Sequence, residues 1–344
     1  MTHRIGILGL HHDHVWGNVD ELSRIRNAKI VAAADTNQPL LDQFSEKYPD
    51  AKTYDSHEAL LENEELTAVY VFGSNKLSED LTIAACERGL HCLVEKPMAA
   101  TLAGADKMLA AAEANNVRLV INWPFTWWSQ LRHAIELASN GDIGQLWQVK
   151  YRAAHQGPVE LGCSSHFCDW LYDAELNGAG ALMDYCCYGA ALSQVLLGSP
   201  NSVTGIKLNT GLKPDLTLED NAILVMNYNN AIATTEASWT QIGKITSYTT
   251  AIYGSEGTFL VEPNHDGKLI KATLEDPEGS EVPVPEQSAD LESASSHFIH
   301  LIENLDASVF PLCEMKICRD AQEILEAGLK AADKKQNVTL PVTD

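Results

Sequence analysis

Positive charge is scarce in this sequence, and so is uninterrupted apolar length. Lysine and arginine number 24 against 47 aspartates and glutamates, a formal charge of −23. A field of that sign repels phosphate backbones and acidic lipid surfaces, so neither nucleic acid nor a membrane is an expected partner. A phosphate-bearing small molecule stays open, because backbone N–H groups at a helix start can hold it locally. No apolar run reaches the roughly 18 residues of a membrane span. The opening MTHRIGILGLHHDH lacks the long apolar core of a secretion signal, which makes the cytoplasm the expected location. There is no CxxC among Cys86, Cys92, Cys163, Cys168, Cys186, Cys187, Cys313 and Cys318, so reduced, buried thiols are expected.

What is present reads as an ordinary globular chain, 45% apolar and 21% charged. Its 344 residues are more than one core comfortably fills, and two domains are expected. Short apolar runs at Arg4 to Leu10, Lys29 to Asp35, Thr67 to Gly73, His91 to Pro97 and Val117 to Trp123 alternate with helical spacings. Among those helices, Pro39 opens PLLDQFSEKY and Thr101 is placed to cap TLAGADKMLAAAEANN. Strands apolar on both faces belong to a parallel sheet covered on each side by crossover helices. The expectation is an α/β chain whose N-terminal Rossmann domain covers residues 1–121.

After a helix at LRHAIELASNG and a strand at Leu146 to His155, the pattern changes. The helical LMDYCCYGAALSQVLLG leads into β-rich runs: VTGIKLNT, NAILVMNY, IATTEASW, TSYTTAIYG, GTFLVEP and KLIKATL. These predict a large, mostly antiparallel open sheet, with a hairpin turning at Asn229 and Asn230. Residues 122–344 are thus read as a substrate-binding and oligomerisation domain, with room for a C-terminal return to the first domain. A polar, proline-containing loop precedes a helix from about Cys313 toward Ala332, and VTLPV reads as an edge strand.

The turn after the first strand reads G9-L-H11-H-D-H14. A dinucleotide fingerprint wants glycine at three of these places, and only Gly9 supplies it. Position argues more strongly than the motif. A helix follows directly, and Asp35 ends the second strand, where a carboxylate accepts bonds from ribose hydroxyls and repels a 2′-phosphate. That favours NAD over NADP; the alternative is that Asp35 only caps the next helix or its turn. His11, His12 and His14 with Asp13 are borderline metal ligands, but four adjacent residues on one loop seldom converge on an ion and HExxH is absent, so no metal is expected.

At LVEKPMAATLAGADKM the chain resembles the glucose-fructose oxidoreductase and inositol 2-dehydrogenase family. Glu95-Lys96-Pro97 closes a strand as that family's triplet does. NGAGALMDYCCYGAALSQVLLG is similar to its glycine-rich turn followed by Asp and, four places on, His; here these are Asp184 and Tyr188. The Asp–Tyr form also resembles the glucose-fructose oxidoreductase and dihydrodiol dehydrogenase branches. His11 and His14 depart from the usual glycines, Gly17 from a common histidine, and Ser78 from a histidine frequent after the asparagine matching Asn75. The resemblance implies an NAD-dependent oxidoreductase acting on a sugar, inositol or related polyol, assembled as a homodimer or homotetramer through the C-terminal sheet.

Residue roles follow. Lys96 would stabilise charge on the reacting oxygen. Tyr188 would carry the proton, its phenol (ordinarily near pKa about 10) lowered by such a cation, and Asp184, on the same helical face, would orient it. Gly9, His11, His14, Asp35, Asn75, Glu95, Lys96 and Pro97 form the expected cofactor site, with a cis bond at Pro97 a feature sequence leaves undecided. Trp123, Trp127, Trp128, His155, His166, Asp169 and Trp170 are candidates for the substrate wall, where aromatic faces suit a pyranose ring. Two other readings stay open: an NAD-binding sugar sensor or scaffold without turnover, and an NAD-assisted glycoside hydrolase.

Overall fold

A computed structural model describes residues 2–343. By contacts it separates into two compact units, each assembled from three chain segments. Unit 1 comprises Met1–Asn122, Cys163–Gly178 and Ser288–Lys316; unit 2 comprises Trp123–Gly162, Ala179–Gln287 and Ile317–Asp344.

Unit 1 alternates strand and helix: β1 (His3–Leu8), α1 (His14–Ser23), β2 (Ala28–Ala34), α2 (Gln38–Lys47), β3 (Lys52–Tyr54), α3 (His57–Asn63), β4 (Ala68–Val71), α4 (Asn75–Glu87), β5 (His91–Glu95), α5 (Leu102–Ala114) and β6 (Leu119–Asn122). Every strand pairing is parallel, in the order β3-β2-β1-β4-β5-β6. The order reverses between β1 and β4, which opens a crevice at the carboxyl ends of those strands. β4 and β6 are buried at every position, as strands sandwiched between helices must be. Caps start the helices where the sequence places them. Ser74 accepts from the Leu77 amide at 3.2 Å, and Thr101 from the Gly104 amide at 2.9 Å.

Unit 2 opens with α6 (Ser129–Ser139) and β7 (Leu146–Ala154). The chain then contributes α7 (Ser165–Leu171) and α8 (Ala174–Asn177) to unit 1. Back in unit 2, a π-helical turn at Leu182–Cys186 runs into α9 (Cys187–Leu197). The strands follow: β8 (Ser202–Leu208), β9 (Asn221–Asn227), β10 (Ile232–Ser238), β11 (Tyr248–Gly254), β12 (Thr258–Val261), β13 (Leu269–Ala272) and β14 (Ser280–Glu281). Helix α10 (Ala294–Glu303) returns to unit 1, α11 starts at Met315 and ends at Lys334, and β15 (Val338–Thr339) closes the chain.

Nine strands form one sheet, in the order β14-β13-β12-β11-β7-β10-β9-β8-β15, and among the described residues β7 with β10 is its one parallel pair. The β9–β10 hairpin turns at Asn229 and Asn230, closed by the Tyr228 amide on the Ala231 carbonyl at 3.0 Å. One sheet face is core, with Leu224, Met226 and Ala233 inaccessible. Ile206, Ile223, Val225 and Ile232 on the other face are 38 to 67% exposed.

Four local expectations need correction. The polar, exposed strand β3 has no apolar signature to betray it. Helices α7, α8 and α10 were not foreseen either. The segment from Leu182 is no continuous α-helix, because its first turn is π.

Candidate functional site

In unit 1 the β1–α1 turn is set by Gly9, which has φ +86°, a conformation that excludes most side chains. A Cβ there would lie 2.7 Å from the Gly73 amide nitrogen and 2.8 Å from the Phe72 carbonyl carbon. The backbone after β1 therefore runs against the end of β4, at the point where strand order reverses.

His11 stands where a fingerprint glycine is usual and ties the crevice together. Its Nε2 accepts from the Ser74 amide at 2.8 Å, which leaves the proton on Nδ1, 3.0 Å from Asp35 Oδ2. Asp35 is fully buried. The same oxygen accepts from the Leu10 amide at 2.6 Å, and Oδ1 accepts from the Asn37 amide at 2.8 Å and its Nδ2 at 2.6 Å. Burial alone would raise this carboxyl's pKa. The bonds from His11 and the Leu10 amide outweigh it and hold the group well below the ordinary range. Both sequence readings of Asp35 meet here: it braces the start of α2 through Asn37, and a ribose would have to exchange with donors already in place.

A second network lies at the end of β5. His14 Nδ1 is 3.0 Å from Glu95 Oε1, and Asn122 donates to Glu95 Oε2 at 2.8 Å and to Asn18 Oδ1 at 3.2 Å. His12, His14 and Glu95 bring one ligand-type atom each within 4.8 Å of one another. His12 Nδ1, however, accepts from the His14 amide at 3.2 Å, and both Glu95 oxygens have partners, so the cluster is internally satisfied. Burial, followed by the charges of His14, Lys96 and His11, holds His12 well below its usual pKa, so it is neutral near pH 7. Lys96 is 3% exposed, and its bond to Pro97 is cis.

The 163–178 segment buttresses this turn. Asp13 accepts from the Ser164 amide at 2.8 Å and its hydroxyl at 2.6 Å, and Trp170 Nε1 donates to the His11 carbonyl at 3.3 Å. Trp170 is 5% exposed and is thus a brace for the turn, with His166 on the same helix α7. Asn75 is likewise committed, its Nδ2 donating to the Asn177 carbonyl at 3.0 Å and Oδ1 at 2.7 Å.

In unit 2 the π turn carries Asp184 and leads to Tyr188. Asp184 Oδ2 accepts from Trp239 Nε1 at 3.2 Å. The Tyr188 ring stacks on Tyr151 at 5.7 Å and meets Phe125 and Trp123 edge-on at 4.8 and 5.5 Å. Gly189 permits that seat, since a Cβ would lie 2.3 Å from Thr235 Oγ1. Trp123 is 1% exposed and donates to Cys318 Sγ at 3.4 Å, so it packs the core behind Tyr188.

Sequence reasoning passed over two phenols nearby. Tyr185 and Tyr248 bring their hydroxyls to 3.4 Å, and Tyr185 meets the His155 ring edge-on at 5.0 Å. Burial, then the Asp184 charge, keeps the Tyr185 phenol well above its ordinary pKa and protonated. His155 Nδ1 accepts from the Gly157 amide at 2.8 Å, which puts its proton on Nε2. No signal local to either tyrosine announces this meeting. It arises because β11 pairs with β7, Tyr248 opposite Ala153.

A parallel sheet with a tight glycine turn, a helix start and an acidic strand end at its switch point defines a dinucleotide-binding domain. The comparisons agree. Residues 4–123 match the model of the oxidoreductase family with an NAD-binding Rossmann fold, and residues 131–260 match the GFO/IDH/MocA C-terminal domain. The chain belongs to the GFO/IDH/MocA oxidoreductase family, and NAD is its cofactor.

Among relatives, a D-xylose 1-dehydrogenase (NADP(+)) of Haloferax volcanii is 28% identical over 225 residues, 64% of this chain and 66% of that protein. A myo-inositol 2-dehydrogenase of Thermotoga maritima is 28% identical over 158 residues, 46% of this chain and 47% of that protein. The matches therefore span less than two thirds of these relatives' lengths. An aldose–aldose oxidoreductase of Caulobacter crescentus, complexed with glycerol, shares the fold at TM-score 0.82 and 20% identity, covering 99% of this chain and 100% of that one. Among the described residues no helix is long and apolar enough to cross a membrane.

Proposed function

We propose that the chain oxidises or reduces a hydroxyl-bearing carbon of a sugar, inositol or related polyol. NAD, when bound, accepts or donates the hydride. Gly9, the α1 start, Asp35 and the Glu95-Lys96-Pro97 strand end are the residues that would hold it. Lys96 carries the reading. A lysine kept 3% exposed at the carboxyl end of β5 is a preorganised cation, and in that low-dielectric position it stabilises charge on a substrate oxygen. Tyr188 moves the proton, its ring fixed by aromatic packing so that the hydroxyl is its working end. Asp184, held by Trp239, orients the partner groups.

The relatives named for xylose and inositol support the substrate class. The test is absorbance at the reduced-nicotinamide band with NAD or NADP and a panel of sugars and inositols. Turnover supports the enzyme; tight NAD binding without turnover across the panel indicates a sensor, and free sugar released with no net reduced cofactor indicates a hydrolase.

The same proposal makes the chain a homodimer or homotetramer through the open sheet face. Ile206 lies directly opposite Ile223 there, beside exposed Val225 and Ile232. Ile223→Lys should lower the mass found by analytical ultracentrifugation; an unchanged mass counts against that face. Eight unbridged cysteines fit a reducing, cytoplasmic location.

A further inference from the structure

Unit 2 contains a cavity of about 560 Å³, within the roughly 300–1,000 Å³ of small-molecule sites. Its walls come from the end of β7 (Ala154, His155, Gln156), from Leu161, from the loop before β11, and from Pro263 and Asn264. Tyr248 in its wall contacts Tyr185, next to Asp184 in sequence, so the cavity adjoins the proposed proton-handling groups.

Its chemistry runs against the rest of the chain. Although the protein carries −23, no aspartate or glutamate lines this space among the described residues, whereas Lys244 and His155 do. Lys244 makes no ion pair among the described residues, and the Nε2–H of His155 and the Tyr248 hydroxyl add donors.

The loop that carries Lys244 is held in shape. Gln241 Nε2 donates to the Ile245 carbonyl at 3.0 Å and to Ser247 Oγ at 2.9 Å. Arg152, paired with Glu236 at 2.9 Å, donates to Gln241 Oε1 at 2.6 Å and to the Thr246 carbonyl at 3.2 Å. Thr246 is held at φ +54° and Asn264 at φ +70°. A β-branched residue in that region is a conformational outlier, and such strain gathers at ligand clamps. The opposite wall is fixed by Gln130, which donates to the Asn264 carbonyl at 2.5 Å and the Glu262 carbonyl at 2.9 Å.

We infer that this cavity is an oxyanion subsite, with Lys244, His155 and Tyr248 as its donors, and that the substrate is a sugar bearing a carboxylate or phosphate. The inference deepens the dehydrogenase proposal and rests on it for the identity of the bound molecule as substrate. A neutral polyol would leave the Lys244 ammonium without a counterpart, while an anion converts it into a charge-assisted hydrogen bond.

The test uses the full chain with NAD and three matched probes: D-glucose, D-glucuronate and D-glucose 6-phosphate. An anionic probe should show a KM lower than that of glucose by roughly tenfold or more. In Lys244→Gln that ratio should fall to near one. Preference for glucuronate alone assigns a carboxylate, and preference for the phosphate ester alone assigns a phosphate. Equal KM values, or a preference that Lys244→Gln does not move, overturn the subsite. If none of the three is turned over, calorimetric titration of the NAD-loaded protein with the two anionic probes decides the matter independently. Binding that weakens about tenfold in Lys244→Gln sustains the subsite while the dehydrogenase reading fails; no binding, or binding indifferent to the substitution, refutes the subsite.

Discussion

The crevice of the parallel sheet and the cavity of the open sheet handle polar groups in opposite ways. In the crevice, Asp35 already has four protein donors, Glu95 has partners on both oxygens, and His11 uses both ring nitrogens. In the cavity, space remains and a lysine stands without an ion pair among the described residues. A cofactor that is the same in every turnover can be met by a finished scaffold with a few exchangeable bonds. A substrate that must be chosen requires donors held in reserve.

Substitutions can break this contrast. The largest effect is expected at Lys96. Lys96→Ala should cut kcat by roughly a hundred- to ten-thousand-fold while NAD still binds, as measured by fluorescence titration. Loss of NAD binding alone, with normal turnover at saturation, would remove Lys96 from the chemistry.

Tyr188→Phe keeps the ring in its aromatic seat and removes only the hydroxyl. It should lower kcat by about a hundredfold with little change in the urea midpoint. A normal kcat would transfer the proton role elsewhere.

At Asp35 the effect is smaller and shows in stability. Its folded pKa is depressed, so its contribution is complete above the unfolded value of about 3.9 and disappears as pH falls through the lower folded value. Asp35→Asn should cost about 1–3 kcal/mol at pH 7, and the gap between urea midpoints should close below pH of about 4. A pH-independent gap would mean that shape, not charge, is what Asp35 supplies. Asp35→Ala should also weaken NAD more than NADP; equal losses would leave Asp35 as a brace for the turn alone.

The sequence makes the crevice legible because its chemistry is local. Both-face apolar strands mark β1, β2, β4, β5 and β6, and Asp35 and Lys96 stand at strand ends that any such sheet brings to one side. The cavity is hidden for the converse reason. Tyr185 and Tyr248 are 63 residues apart and meet only through strand register. Trp123 shows the limit from the other direction: an aromatic at a strand end resembles a sugar platform, but its indole N–H finds Cys318 and it joins the core. Trp170 is similar, a brace under the turn. Neither outcome can be read without knowing which segments return to which unit.

That interleaving reaches into biosynthesis. Tyr70, on a central strand of the nucleotide sheet, is covered by α10, where its hydroxyl bonds Ser295 Oγ at 3.0 Å and its ring meets Phe298. A ribosome that has released the first 122 residues has made all six strands of that sheet but not the helix that seals it. The nascent N-terminal half must wait with an apolar flank uncovered until the last tenth or so of the chain emerges, a window in which a chaperone has reason to bind.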